Sequence, residues 1–194
     1  HNILAIRGDG LNYNKPVSKD RSINIYANEL VSQVSAMNQG IYLEEISNAR
    51  PTEFCVGVAG YPEKHFEAPS LKQDLYYLKK KVDAGADYIV TQMFFDNKKY
   101  FDFVEICRNE GITIPIIPGI KILKNMKQLQ SIPRHFYIDL PDELVDQVMN
   151  DQDNIVQIGI DWAIKQCREL VHFGAPVLHF YILNDTNSVL KVIE

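Results

Sequence analysis

Helical and strand periodicities take turns along this chain, with only short links between them. Leu71, Leu75, Leu78 and Val82 recur at helical spacing, so Leu71 to Ala84 reads as an amphipathic helix closed by Gly85. The apolar run "DYIVTQMFF" follows at once and reads as a buried strand. Tyr100 to Asn109 is the next helix, closed by Gly111, and "ITIPIIPGI" is a strand kept short and irregular by its two prolines. Upstream lie a strand at Ile3 to Ile6, a helix at Ile25 to Met37 and the short strand "EFCVGVAG". Downstream, Lys124 to Ile132 is expected to be helical, "PRHFYIDLPDEL" an irregular connection, and Asp153 to Phe173 a long helix. The strand "PVLHFYIL" and a helix begun by Ser188 to Val192 complete the pattern. Nearly continuous apolar strands alternating with helices imply a parallel sheet covered by helices.

The strands near residues 3, 55, 89, 115 and 178 make five βα units. No GxGxxG and no GxxxxGK[ST] follows any of them, which removes the main support for Rossmann and P-loop folds. Polar residues instead gather just past the strand ends: Arg7-Gly8-Asp9, Tyr61 to His65, Gln92 and Asn184-Asp185. The C-terminal strand ends form the catalytic face of a (βα)8 TIM barrel, and that is the α/β fold expected, with about five units present.

At 194 residues the chain is read as a single domain, 1–194. Its 46% apolar and 23% charged residues describe an ordinary globular protein. A net charge of -5 argues against nucleic-acid binding, which needs a basic face. No apolar run reaches the length of a membrane span, and there is no basic leader before an apolar core, so a cytoplasmic location is expected. Cys55, Cys107 and Cys167 are read as reduced, mostly buried thiols, with no spacing that suggests a metal site. The chain enters directly into a strand, as if it started in the middle of something.

"NILAIRGD", "AGYPEKHFEA", "DLYYLKKKVDAGADYIVTQMFFD", "GITIPIIPGI" with "MKQL" after it, and "LHFYILN" together resemble the methylenetetrahydrofolate reductase family. The motifs keep the family's order over nearly the whole chain. The resemblance implies the fourth to eighth units of the family's barrel, without the first three and without the glutamate that acts as general acid on the folate nitrogen. It also implies FAD, NADH or NADPH as co-substrate, and a folate substrate.

Asp9 is an Asp in a tight turn on a plain reading. The resemblance makes it the catalytic residue, close to flavin and folate, where its charge favours hydride donation and stabilises the cationic iminium form of the folate. Arg7 and Gly8 then contact the flavin, and Tyr26 and Ala27 match a pair that packs on it. Ala59, Tyr61, His65 and Ala68 line the next loop, where a partly charged His65 would suit the FAD phosphates or ribose. Asp74, Tyr77 and Lys81 form a stripe at i, i+3 and i+7. By resemblance Asp74 holds a sugar hydroxyl and Lys80 or Lys81 meets the pyrophosphate, while Tyr77 stands where many members carry Asn. Gln92 and Gln128 match two folate-contacting amides. Ile132 stands where some members have an aromatic, and Asp185 where many have Arg, which reverses the charge expected to meet the glutamate tail.

These readings imply an FAD-dependent oxidoreductase that converts methylenetetrahydrofolate to methyltetrahydrofolate, in one-carbon metabolism and methionine biosynthesis. The chain looks bacterial in style, and a homo-oligomer is expected. Two rivals remain: another barrel enzyme such as an aldolase, which needs a Schiff-base Lys at a strand end, and an inactive fragment. The second follows from open edges at Ile3 to Ile6 and Val177 to Tyr181, through which the chain made alone is expected to self-associate.

Overall fold

The computed structural model describes residues 1–7, 24–182 and 186–194. Gly8, Asp9 and Asp185 lie outside the described residues. The strands are β1 (Asn2–Ala5), β2 (Cys55–Gly60), β3 (Tyr88–Met93), β4 (Ile116–Ile120) and β5 (His179–Phe180). They pair in chain order and all in parallel, with Val58 opposite Ile89 and Ile120 opposite Phe180. Sequential parallel pairing with helical crossovers is the arrangement of a (βα)8 barrel. Among the described residues there are five such units, as a curled sheet with β1 and β5 outermost.

The helices are α1 (Ala27–Asn38), α2 (Leu71–Asp83), α3 (Asn97–Asn109), α4 (Lys127–Phe136), α5 (Asp142–Asn150), α6 (Ile155–Phe173) and α7 (Asn187–Ile193). Alternation along the strands sends Val56, Val58, Ile89 and Ile116 into a layer shared with Val31, Leu75, Leu78, Phe103 and Ile160. Each such side chain contributes on the order of 1.5–3 kcal/mol on burial. Leu4 and Ile6 point the other way and are exposed. A second cluster, including Met93, Phe95, Leu123, Leu144 and Val148, packs α4 and α5 below the end of β3.

Two backbone approaches fix the geometry near the strand ends. A Cβ on Gly119 would lie 2.3 Å from the Thr91 carbonyl oxygen and 2.6 Å from the Tyr181 ring. A Cβ on Gly159 would lie 2.0 Å from the Leu123 carbonyl oxygen, so α6 rests directly on the backbone beyond β4.

The structure departs from the sequence reading in three places. Helix α4 continues through Pro133 to Phe136, and α5 is a helix the sequence reading missed altogether. Leu144 and Val148, one turn apart, bury its inner face, so only residues 137–141 of "PRHFYIDLPDEL" form an irregular connection. Strand β5 pairs over two residues rather than the whole apolar run. Cys55 is exposed because it opens β2, whereas Cys107 and Cys167 are buried, and burial pushes their thiols up to about 12 and about 11. Among the described residues no helix is long and apolar enough to cross a membrane.

Candidate functional site

A cleft of about 450 Å³ opens past the C-terminal ends of β1 and β2. Its walls come from four places: Arg7 just after β1, Tyr26 and Ala27 at the start of α1, Ala59 on β2, and the loop leading into α2. That loop brings Tyr61, His65 and Ala68, and α2 adds Asp74, Tyr77 and Lys81. Ten of the residues singled out in the sequence thus share one cavity. Glu67 and Gln73 join them. The turn-to-helix pattern around His65 and Asp74 carried the signal for both.

The loop is built from consecutive turns. Lys64 N–H donates to the Tyr61 carbonyl at 3.1 Å and Ala68 N–H to the His65 carbonyl at 3.0 Å. Lys64 sits at φ 79° and its ammonium folds back to the Ala68 carbonyl at 2.6 Å. Ser70 then caps α2 by accepting from Gln73 N–H at 3.2 Å. Asp74, in the first helical turn, accepts from His65 N–H at 2.8 Å and fixes the loop to the helix.

Charge is unevenly compensated here. Lys81 donates to the Ala59 carbonyl at 2.5 Å, and burial lowers its ammonium to about 8, with the nearby Asp74 acting in the opposite sense. Arg7 pairs with Glu67 at the rim and lies 5.7 Å from the centre of the Tyr26 ring. Lys80 takes no part in the cleft: it is exposed, over the rings of Tyr76 and Tyr77. His65 differs from the partly charged imidazole expected. Burial lowers its pKa, and its Nδ1 accepts from Glu67 N–H at 3.2 Å, so the neutral ring carries its proton on Nε2. Its ring meets Tyr61 edge-on and stacks on Phe66.

Gln92 and Gln128 do not line this cleft. The Gln92 oxygen accepts from Met93 N–H at 3.0 Å at the end of β3. Gln128 accepts from Lys124 N–H at 2.6 Å, a local bond at the start of α4. Ile132 is core, 3% exposed. Beside Gln92 lies a polar group the sequence reading did not single out. Tyr181 O–H donates to the Thr91 carbonyl at 2.8 Å, His179 meets the Tyr181 ring edge-on, and Lys121 donates to the Tyr181 carbonyl at 3.0 Å. Burial lowers the Lys121 ammonium and raises the Tyr181 phenol. Lys121 follows β4 directly and is a lysine at a strand end.

A family model described as methylenetetrahydrofolate reductase matches residues 1–194. The chain belongs to the methylenetetrahydrofolate reductase family. A "Probable methylenetetrahydrofolate reductase (NADPH)" of Caenorhabditis elegans is 38% identical over 145 residues, 73% of this chain and 22% of that protein. A "Methylenetetrahydrofolate reductase (NADH) 1" of Zea mays is 33% identical over 209 residues, 99% of this chain and 32% of that protein. A "5,10-methylenetetrahydrofolate reductase" of Pectobacterium carotovorum is 35% identical over 185 residues, 94% of this chain and 55% of that protein. The chain therefore spans from about a fifth to just over half the length of these family members. Among solved structures, an uncharacterized Clostridium thermocellum protein shares the fold at a TM-score of 0.53 and 19% identity, over 72% of this chain and 51% of that one.

Proposed function

We propose that this chain contributes the cofactor- and folate-facing units of a methylenetetrahydrofolate reductase, which reduces 5,10-methylenetetrahydrofolate to 5-methyltetrahydrofolate with electrons from NADH or NADPH. Relatives named for each nicotinamide support a nicotinamide reductant. The observation that carries the reading is the cleft of a family member, where the buried ammonium of Lys81 stands beside an ordered loop. That donor set fits FAD: a cation for a pyrophosphate, a carboxylate and a neutral imidazole for sugar hydroxyls, and an aromatic wall for a ring system. FAD bound there would supply hydride transfer between nicotinamide and folate.

The residues divide that work. Lys81 and Arg7 offer positive charge to phosphate, Arg7 by exchanging its partner Glu67. The protonated Nε2 of His65 can donate to an acceptor, and Asp74 holds the loop that aims it. Tyr26 and Ala27 close one wall, and Gln92 offers its amide N–H groups to a mixed donor/acceptor heterocycle. Asp9, which follows β1 in sequence, is proposed to place a carboxylate against the substrate cation. The pathway is proposed to be one-carbon metabolism serving methionine synthesis, in a cytoplasmic homo-oligomer.

The protein should purify with flavin absorbance and oxidise NADH or NADPH with menadione as acceptor. Asp9→Asn should keep FAD and lose folate reduction more than nicotinamide oxidation; unimpaired folate turnover would refute its role. Lys121 is the one observation that favours an aldolase-type reading, since a lysine with a lowered pKa can form a Schiff base. Borohydride trapping of a carbonyl substrate on Lys121 would establish that alternative.

A further inference from the structure

Glu63 sits between Tyr61 and His65, two residues that line the cleft, yet it faces away from it into the protein. Its side chain is only 8% exposed. One carboxylate oxygen accepts from Asp139 N–H at 3.2 Å, 76 residues along the chain in the connection between α4 and α5. Lys99 of α3 lies 3.8 Å from that carboxylate and 3.9 Å from the Asp139 carboxylate. The other Glu63 oxygen, Oε1, is buried and has no hydrogen-bond partner among the described residues. Such a group is costly unless something offsets it.

A second contact joins the same two segments. Phe66 stacks on Tyr137 with ring centres 4.8 Å apart and 13° between planes. Tyr137 closes α4 at φ 56°, a left-handed conformation that a side chain adopts at a cost. A strained residue, a nearly buried carboxylate and an aromatic stack therefore all meet where the α4–α5 connection crosses the β2–α2 loop.

We propose that Glu63 is a positioning residue, which clips the α4–α5 connection onto the β2–α2 loop and thereby sets the placement of Tyr61 and His65 in the cleft. The groups that face it are Lys99 of α3, the Asp139 carboxylate of the connection, and Asp96 at the cap of α3. Glu63 and Asp139 share the Lys99 ammonium. Burial, the largest influence, raises the Glu63 carboxyl above its ordinary 4.5, and Asp139 and Asp96 push the same way against the Asp139 N–H bond and Lys99. With the folded value raised, the clip is fully supported below the ordinary value and loses support as pH rises through the raised one.

The test is amide hydrogen exchange of residues 61–68 and 137–140, corrected for intrinsic rates, in the wild type, Glu63→Ala, Glu63→Gln and Tyr137→Ala. Retention of added FAD is measured alongside. Glu63→Ala should speed exchange in both segments together by about tenfold or more, the loss of a hydrogen bond to a charged group, with β2 and α2 unchanged. It should weaken FAD retention in parallel. Tyr137→Ala should loosen the same two segments through the lost stack. Glu63→Gln keeps an acceptor for Asp139 N–H and removes the charge, so it should preserve protection and abolish its decline with rising pH. Exchange that rises in one segment alone, or a Gln variant that behaves like Ala, would overturn the clip. Coupled exchange with unchanged FAD retention would overturn its positioning role. The FAD readout rests on the proposed function; a wild type that binds no FAD would count against that reading, while the exchange coupling still decides the clip.

Discussion

Replacing Lys81 with Met should make the ligand-free protein more stable and weaken cofactor binding. A lysine ammonium is ordinarily at 10.5, and burial lowers this one to about 8. At about 1.4 kcal/mol per pH unit, that difference is roughly 3 kcal/mol of cost for carrying the charge in the ligand-free protein at neutral pH. Met fills a similar volume without charge. It forfeits the bond to the Ala59 carbonyl, which offsets on the order of 1–2 kcal/mol. The net gain should be about 1–2 kcal/mol, or about 2–8 °C in melting temperature for a chain of this size.

The sign follows from proton counting. Between pH 8 and 10.5 the unfolded chain holds a proton on Lys81 that the folded chain has released. Wild-type stability in the absence of ligand should therefore rise across that window, and the Lys81→Met variant should lose this rise. Binding should respond oppositely, because a bound phosphate restores the charge's partner. Loss of a charge-assisted contact of roughly 1.5–3 kcal/mol should raise the FAD dissociation constant about ten- to hundredfold. Thermal melts across pH 7 to 10.5, with flavin fluorescence titrations, measure both. A variant that melts lower at pH 7 and keeps the wild-type pH dependence would refute the assignment of Lys81 as a strained, waiting cation.

Three further outcomes are expected. Gln92→Ala should cost about 1–3 kcal/mol in folate binding with flavin content unchanged; equal loss of both, read from folate KM and flavin stoichiometry, would make the residue structural. Gly159→Ala should destabilise by about 3 kcal/mol or more in denaturant unfolding, because its Cβ would meet the Leu123 carbonyl at 2.0 Å. Gly111→Ala should cost only about 1–2 kcal/mol in the same assay, since nothing lies within 4 Å and only its φ of 75° opposes a side chain.

The order of the elements was legible because helix ends announce themselves. Gly85, Gly111 and Gly174 each take positive φ after a helix whose apolar residues recur at helical spacing. Helix α5 was not legible to the same reasoning, because Pro133 and Pro141 bracket the segment before it and suggest a loop throughout. Pro141 in fact stands at the N-cap of α5, where a missing N–H costs nothing. Ten of the cleft's residues were named through the family resemblance, since its walls come from short motifs at consecutive strand ends. Glu63 lay inside one of those motifs, but its partner Asp139 is 76 residues away and no local pattern announces such a contact. Lys121 and Tyr181 were missed for the same reason, because their meeting depends on the pairing of β4 with β5.

The strand-end polarity divides by chemistry across the sheet. The β1–β2 side gathers Arg7, Asp74 and Lys81, groups suited to phosphate and sugar. The β3–β5 side gathers Gln92 and Tyr181, an amide and a hydroxyl suited to the edge of a heterocycle. Under the proposed function, two ligands of different polarity approach from opposite sides of one sheet, and their reacting rings must meet between them. Placing the cofactor's charged portion over β1 and β2 leaves the amide of Gln92 free for the substrate. Loss of charge at Lys81 and loss of the amide at Gln92 should therefore be separable in binding and inseparable in turnover.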